Sequence, residues 1–408
     1  MRSASKYNIH HQHPDGRKVG DVMPFYYNGV YHVFYLLNGS GHEDINHEHA
    51  ISTDLLHWTT LNPSIRHEDN CAFTGCYIQA PDGVFHCFFT RWNPDNTTGR
   101  EKLGHAVSSD LITWRKNDWS LLPDGRLYSD ARYRDFRDPC IFYEESDQYY
   151  HMLLLANSKQ KENDETSWDE NWVQGHYRSK NLIDWEPLPA ITGNFADECP
   201  DYIFREGRHY IHGCHRYAIS NQQWGPYLSQ DDFILDQGLR AAKTCRTSDR
   251  LLWFGGFIGG SFTLPREIVF LPSGRLGLRM AIEMYEASNR LISKSNRRIN
   301  DIQICRDFAY RIEIVFSNDD CVTIDFSCFR FELDKDVLTF INQSIVKTLD
   351  ANVTFDASTN KIDIIIDADL VELYWAEKGA FTYCSAIDIE NLSIFTNKEM
   401  QVSVYCFL

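Results

Sequence analysis

One pattern occurs three times in the first half of the chain and limits the folds open to it. The copies run from Glu48 to Trp58, Gly104 to Trp114 and Gly175 to Trp185, and they begin 56 and 71 residues apart. Each places a His (His49, His105, His176), a Ser, an Asp or Asn, a Leu and a Trp at fixed intervals. Self-similarity on this scale marks a repeated supersecondary unit larger than a hairpin. Hairpin-like stretches lie between the copies, with turn residues at Asn28-Gly29, Asp82-Gly83 and Glu206-Gly207, and two more are centred near 140–156 and 244–257. The stretches carry strand-like alternation, and no long helical periodicity separates them. Sheets repeated in this way close radially, leaving only short edges exposed. The reading is an all-β chain that opens with a five-bladed β-propeller.

The texture changes past Gly274. Residues 284–298 are polar and read as a short helix or linker. From about Ile302, alternating segments such as 310–316, 321–333 and 361–375 are separated by short turns, the pattern of a β-sandwich. The expected organisation is a propeller over 1–283, a linker over 284–298 and a C-terminal β-sandwich over 299–408. The charged stretch 159–171 reads as a solvated loop. The repeated histidines fall in three different units, too far apart around a ring to share a metal, so a structural role is expected for them. His209, His212 and His215 are spaced by three and fit no single strand face.

Composition removes several classes of function. A formal net charge of −17 supplies no basic face for nucleic acid and no attraction to an anionic membrane. No apolar run is long enough to cross a bilayer as a helix. The first 20 residues are polar and lack the apolar core of a secretion signal. The 12 cysteines are scattered without a paired motif and read as reduced thiols. A cytoplasmic location is expected, with a small, neutral oligosaccharide as partner and no cofactor or metal. Self-association into a homo-oligomer stays open.

Three acids occupy corresponding places. Asp21, Asp138 and Glu198 each stand just ahead of an aromatic strand, with Pro24, Pro139 and Pro200 close behind. Inner propeller strands begin near the central axis, so three such residues would point into one funnel. Paired carboxylates are what glycoside hydrolysis requires, one protonated to release the leaving group and one ionised on the other side of the scissile bond.

At these positions the chain resembles glycoside hydrolase family 32, the β-fructofuranosidases, over nearly its whole length. Arg137-Asp138-Pro139 is similar to the family's RDP motif, Glu198-Cys199-Pro200-Asp201 to its ECPD motif, and Phe73-Thr74-Gly75 to its FSG motif. Thr263-Leu264-Pro265-Arg266-Glu267 is similar to the family's TLPRE segment, and Asp367 with Glu372 to its D-x-S-x-x-E pattern. The resemblance implies a retaining reaction without a metal. Asp21 would be the nucleophile, and Glu198 the general acid and then base. Asp138, oriented by Arg137, would hold ring hydroxyls, with Phe73, Thr74 and Asp197 in the substrate-binding surroundings. The expected activity is cleavage of terminal β-fructofuranosyl residues from sucrose or short fructo-oligosaccharides.

The chain departs from the family pattern at three points. Val19-Gly20-Asp21-Val22-Met23-Pro24 replaces the family's WMNDPNG segment, with Asp21 one residue short of the usual spacing from Tyr31-His32. That spacing is closer to family 43, the arabinofuranosidases and xylosidases. Leu36 stands in place of a Gln, and Asp197 replaces the aromatic residue before Glu198, adding a like charge. Three alternatives follow: a furanosidase or xylosidase acting on another sugar, a fructosyltransferase, or a sugar-binding propeller without turnover.

Overall fold

The protein is seen in a computed structural model that describes residues 6–38, 45–67, 71–93, 101–131, 134–161, 171–256, 259–296, 299–317, 320–335, 337–342, 345–350, 359–385, 389–396 and 400–407. Most of the charged stretch 159–171 lies outside the described residues. Regular structure is almost entirely β, and the one α-helix among the described residues is Ile282–Ala287.

Among the described residues, five small antiparallel sheets follow one another along the first part of the chain. The first holds β1 (Lys18–Tyr27), β2 (Val30–Asn38), β3 (His47–Ser52) and β4 (Thr59–Ile65). The second holds β5 (Cys71–Gln79), β6 (Phe85–Trp92), β7 (Glu101–Ser108) and β8 (Arg115–Leu121). The third holds β9 (Phe136–Glu144), β10 (Tyr149–Asn157), β11 (Trp172–Ser179) and β12 (Glu186–Leu188). The fourth has β13 (Asp201–Arg205), β14 (Arg208–His212) and β15 (Tyr217–Ser220). The fifth has β16 (Arg240–Arg246), β17 (Leu251–Gly256), β18 (Arg266–Phe270) and β19 (Leu276–Met280). The turn chemistry is as the sequence requires: Asn28 and Gly29 take φ of 47° and 82°, the left-handed pair of a two-residue hairpin. The first strands of the sheets are neighbours in turn. β1 lies against β5, β5 against β9 and β9 against β13, while β16 lies back against β1. Between β13 and β16, the Thr244 N–H donates to Asp201 Oδ2 at 2.6 Å.

The repeated motif is a turn between the third and fourth strands of a sheet. Ser52 Oγ accepts from the Leu55 N–H at 2.8 Å, and Asp54 Oδ1 accepts from the Leu56 and His57 N–H groups at 3.0 and 2.8 Å. Ser108 with Asp110, and Ser179 with Asn181, cap their turns in the same way. The leucine of each copy is held at φ between 64° and 67°. This side-chain capping fixes the Ser and the Asp or Asn. The motif histidines pair across neighbouring strands, His32 with His49 at 3.0 Å, His86 with His105 at 2.9 Å and His151 with His176 at 2.8 Å. Burial pushes His49 and His176 down to about 3, and His32 and His105 down to about 4. The rings are therefore neutral at pH 7, and in each pair one nitrogen can donate while the other accepts.

Four of the inner strands carry an irregularity at the same end. The register slips between Val19 and Val22 in β1, Phe73 and Gly75 in β5, Arg137 and Cys140 in β9, and Arg240 and Lys243 in β16. A bulge bends its strand and re-aims a side chain, so residues 20–21, 74 and 138 leave the regular alternation there.

The C-terminal part forms two six-stranded sheets that share one core, which includes Ile312, Ile314, Ile364 and Leu373 of one sheet and Phe331 and Ile394 of the other. Within 284–298, the segment Arg290–Ser295 is a strand paired with Gln401–Cys406 at the edge of one of these sheets. Five of its six residues are exposed. Its polar composition thus reflects an edge position rather than a free connection.

The two halves meet in a buried ionic cluster. Arg266 is fully buried, bonded to Asp236 at 3.0 Å and Tyr374 Oη at 3.2 Å, with Glu372 at 3.3 Å. The N-terminal segment joins this cluster. Asp367 accepts from the backbone N–H groups of Asn8, Ile9 and His10 at 2.8, 3.0 and 3.1 Å. The His10 ring spans Asp367 and Glu372 at 2.9 and 3.3 Å.

Candidate active site

The bulges of β1 and β9 bring Asp21 and Asp138 together, and the turn ahead of β13 adds Glu198 to the cluster. Asp21 leaves β1 at its bulge, and its Oδ2 accepts from Thr74 Oγ1, the bulge residue of β5, and from Cys199 Sγ at 3.5 Å. Asp138 sits at φ 61°, in the left-handed region that Asp tolerates better than most side chains. Its N–H donates to Thr90 Oγ1 at 2.9 Å, and Thr90 in turn donates to the Thr74 carbonyl at 3.0 Å. Asp138 Oδ2 accepts from the Cys199 N–H at 3.1 Å and lies 3.6 Å from Cys199 Sγ. Cys199, at φ 51°, therefore joins Asp21 to Asp138 through one thiol. Asp21 and Asp138 lie inside β1 and β9 rather than ahead of them, because the bulges turn mid-strand positions toward the centre. Glu198 precedes β13 as expected.

Arg137 is turned elsewhere than the sequence suggests. Its Nε and Nη2 donate to Glu198 Oε1 at 3.2 and 3.0 Å, while Asp138 stands at 3.9 Å. The remaining fork nitrogen donates to Glu101 at 3.1 Å and to Asp135. The guanidinium is committed to carboxylates of the protein.

Phe73 and Asp197 have partners of their own within the protein. The Phe73 carbonyl accepts from His47, and its ring stacks on Trp92 at 5.4 Å. Asp197 Oδ1 accepts from the Glu198 N–H at 2.8 Å, and its Oδ2 from the His215 N–H at 3.0 Å. Its carboxylate thus braces the turn that presents Glu198. Two glycines permit the close packing. A Cβ on Gly75 would lie 2.1 Å from the Phe88 carbonyl oxygen, and one on Gly213 would lie 2.4 Å from Asp197 Cβ.

The charge balance is tight. Burial raises the Asp21 carboxyl above the usual carboxylate range, opposed by the Thr74 and Cys199 donors, and the Glu198 charge adds to the rise. Burial drives Asp138 well up against the pull of Arg137, with Asp21 and Glu198 adding to the effect. Burial also raises Glu101, against the Arg137 charge. The Glu198 side chain is 34% exposed, against 5% for Asp138. Such a cluster can hold protons on some acids while others stay ionised, as acid–base chemistry at a sugar bond demands. Beneath it, the buried Lys243 ammonium donates to the Pro200 carbonyl at 2.9 Å. A cavity of about 740 Å³ opens toward the other end of the same strands, lined by Phe25, Tyr77, Phe142, Tyr202 and Lys243 among others, and none of the three acids lines it.

Thr90, Glu101 and Asp135 belong to the cluster without having been singled out in the sequence, and Cys199 was noted only as part of a motif. Asp135 stands three residues before Asp138, a weak signal. Thr90 and Glu101 reach the site through cross-strand register and carry no local signature.

The family model for the N-terminal domain of glycosyl hydrolases family 32 matches residues 21–234, which hold all three acids. The chain belongs to glycosyl hydrolase family 32. Among family members, it is 30% identical over 209 residues to an insoluble β-fructofuranosidase isoenzyme of Oryza sativa subsp. indica, covering 47% of this chain and 33% of the relative. It is 28% identical over 218 residues to a levanbiose-producing levanase of Bacillus subtilis, covering 48% of this chain and 37% of that protein. The matched part thus spans about a third of the length of these curated relatives. A family 32 β-fructofuranosidase of Bombyx mori shares the fold, with a TM-score of 0.78 at 17% identity over 98% of this chain and 93% of the other. A mutant of that protein has been solved in complex with sucrose.

Proposed function

We propose that this protein is a retaining glycoside hydrolase that removes terminal β-fructofuranosyl residues from sucrose or short fructo-oligosaccharides. The observation that carries the proposal is the meeting of Asp21, Asp138 and Glu198 around one thiol and one guanidinium, although 177 positions separate the first from the last. On this reading, Glu198 protonates the glycosidic oxygen as the bond breaks, and Asp21 attacks the anomeric carbon from the opposite side to give a fructosyl ester. Glu198, now a carboxylate, then takes a proton from the water that cleaves the ester, and two inversions leave the configuration unchanged. Asp138 holds ring hydroxyls as positive charge develops on the sugar. Arg137 holds the Glu198 carboxylate in place through two nitrogens.

The five small sheets are read as blades of a propeller over residues 1–283, and the two larger sheets as a β-sandwich over 299–408 to which Arg290–Ser295 adds an edge strand. The neighbouring order of β1, β5, β9, β13 and β16 supports the first assignment. The scattered spacing of the cysteines, with no paired motif, supports a reducing, cytoplasmic setting. The test is fructose release from sucrose and 1-kestose, lost on Glu198→Gln. Absence of release from any β-fructoside overturns the proposal. A second reading, hydrolysis of an arabinose- or xylose-type glycoside, is favoured by Asp197. Its carboxylate is committed to His215, so a position that is aromatic in the family offers no stacking face. A panel of aryl glycosides separates the two, and activity confined to the aryl fructoside removes the second.

A further inference from the structure

Two thiols stand directly behind the acids. Cys199 and Cys214 pack in one small buried cluster with Ala241, and His215 follows Cys214 directly in the chain. Cys199 has carboxylate oxygens of Asp21 and Asp138 at 3.5 and 3.6 Å. His215 is half exposed, with Asp197 at 3.7 Å on its other side. The Asp197 bond and the Cys214 contact push His215 up to about 10, so it is a cation at neutral pH. The Cys199 hydrogen bond, helped by His215 and opposed by burial, pulls Cys214 down to about 7. Cys199 is held in the thiol form by its bond to Cys214, by burial and by the two carboxylates. One sulfur is prepared to attack and its neighbour to resolve, the division of roles found in oxidant-reactive cysteine pairs.

We propose that Cys214 and Cys199 are a site of oxidative modification that takes a hydroperoxide and closes to a disulfide behind the candidate acids. The Cys214 thiolate attacks the distal peroxide oxygen, the O–O bond breaks, and the departing alkoxide or hydroxide takes a proton from His215. The Cys214 sulfenic acid then condenses with the Cys199 thiol, forming the S–S bond and releasing water. The two sulfurs together give up two electrons, which reduce the O–O bond. Closure removes the Cys199 S–H from Asp21 and Asp138 and draws the 197–199 turn toward 213–215. The resulting loss of activity rests on the hydrolase reading above, whereas the cross-link does not.

The full-length protein is treated with hydrogen peroxide and analysed by intact mass and non-reducing peptide mapping, with sucrose hydrolysis followed in parallel. The expected result is loss of two hydrogens, mapped to a Cys199–Cys214 cross-link. Activity falls by about tenfold or more and returns with a dithiol reductant. Cys214→Ser keeps its basal activity and resists the oxidant. No cross-link, a cross-link between other cysteines, or closure that leaves activity unchanged overturns the proposal. A mapped cross-link in a protein that hydrolyses no glycoside leaves the thiol chemistry standing and sinks the hydrolase reading instead.

Discussion

Arg137 holds Glu198 through two nitrogens at 3.2 and 3.0 Å, closer than it holds the adjacent Asp138 at 3.9 Å. The guanidinium thereby fixes the position of the residue assigned to deliver a proton. Glu198→Gln keeps the shape and the contact but cannot transfer a proton. Turnover on sucrose is expected to fall by about 10²–10⁴-fold with KM little changed, as steady-state kinetics will report.

Arg137 also serves two buried acids, Glu101 and Asp135, which are 4% and 2% exposed. Arg137→Met leaves both without their cation. Unfolding in urea should show a loss of about 3–5 kcal/mol, whereas Glu198→Gln should unfold close to the parent.

Burial raises the Asp21 carboxyl and the Thr74 hydroxyl lowers it. A nucleophile works only when ionised, so the acid limb of kcat/KM reports this group. Thr74→Val removes the lowering influence, and the limb should move to higher pH. A limb that stays in place or moves down would remove Asp21 from the nucleophile's role.

The neutral histidine pairs carry a stability cost in acid. An unfolded His binds a proton near pH 6.5, but His49 and His105, held down to about 3 and about 4, do not while folded. Stability should therefore fall as pH drops from about 6.5 toward those values. His49→Gln should reduce the slope of unfolding free energy against pH by about one proton across that window.

His10 has the opposite sign. Burial alone would lower it, but its bonds to Asp367 and Glu372 outweigh that and raise it to about 9. Its contribution is fully present below the unfolded value and is lost as pH rises through 9. The stability difference between the parent and His10→Ala should be large at pH 6 and should shrink by pH 10, as paired denaturation curves will measure.

The sequence was most readable where chemistry is local. The Asn28-Gly29 hairpin needs two left-handed residues, and the Ser-x-Asp-Leu turns need side-chain caps, so both leave signatures within a few positions. The three acids drew attention because a proline follows each one within three residues. Their surroundings were less accessible. Whether Arg137 reaches Asp138 or Glu198 depends on where a bulge turns β9. The partnership of Cys199 with Cys214 depends on two loops meeting in space, and Asp197 could not be told from a pocket residue without the His215 backbone that it binds. The edge strand Arg290–Ser295 read as a connection because its side chains face water.

The clasp between residues 8–10 and Asp367 has a consequence for the order of assembly. Ribosomes deliver the beginning of a chain long before its later strands, so His10 and its neighbours must wait for more than three hundred further residues before their carboxylate partners emerge. The sheets that carry the acids can form during synthesis. The seal across their base closes only after residues 367–372 have been made.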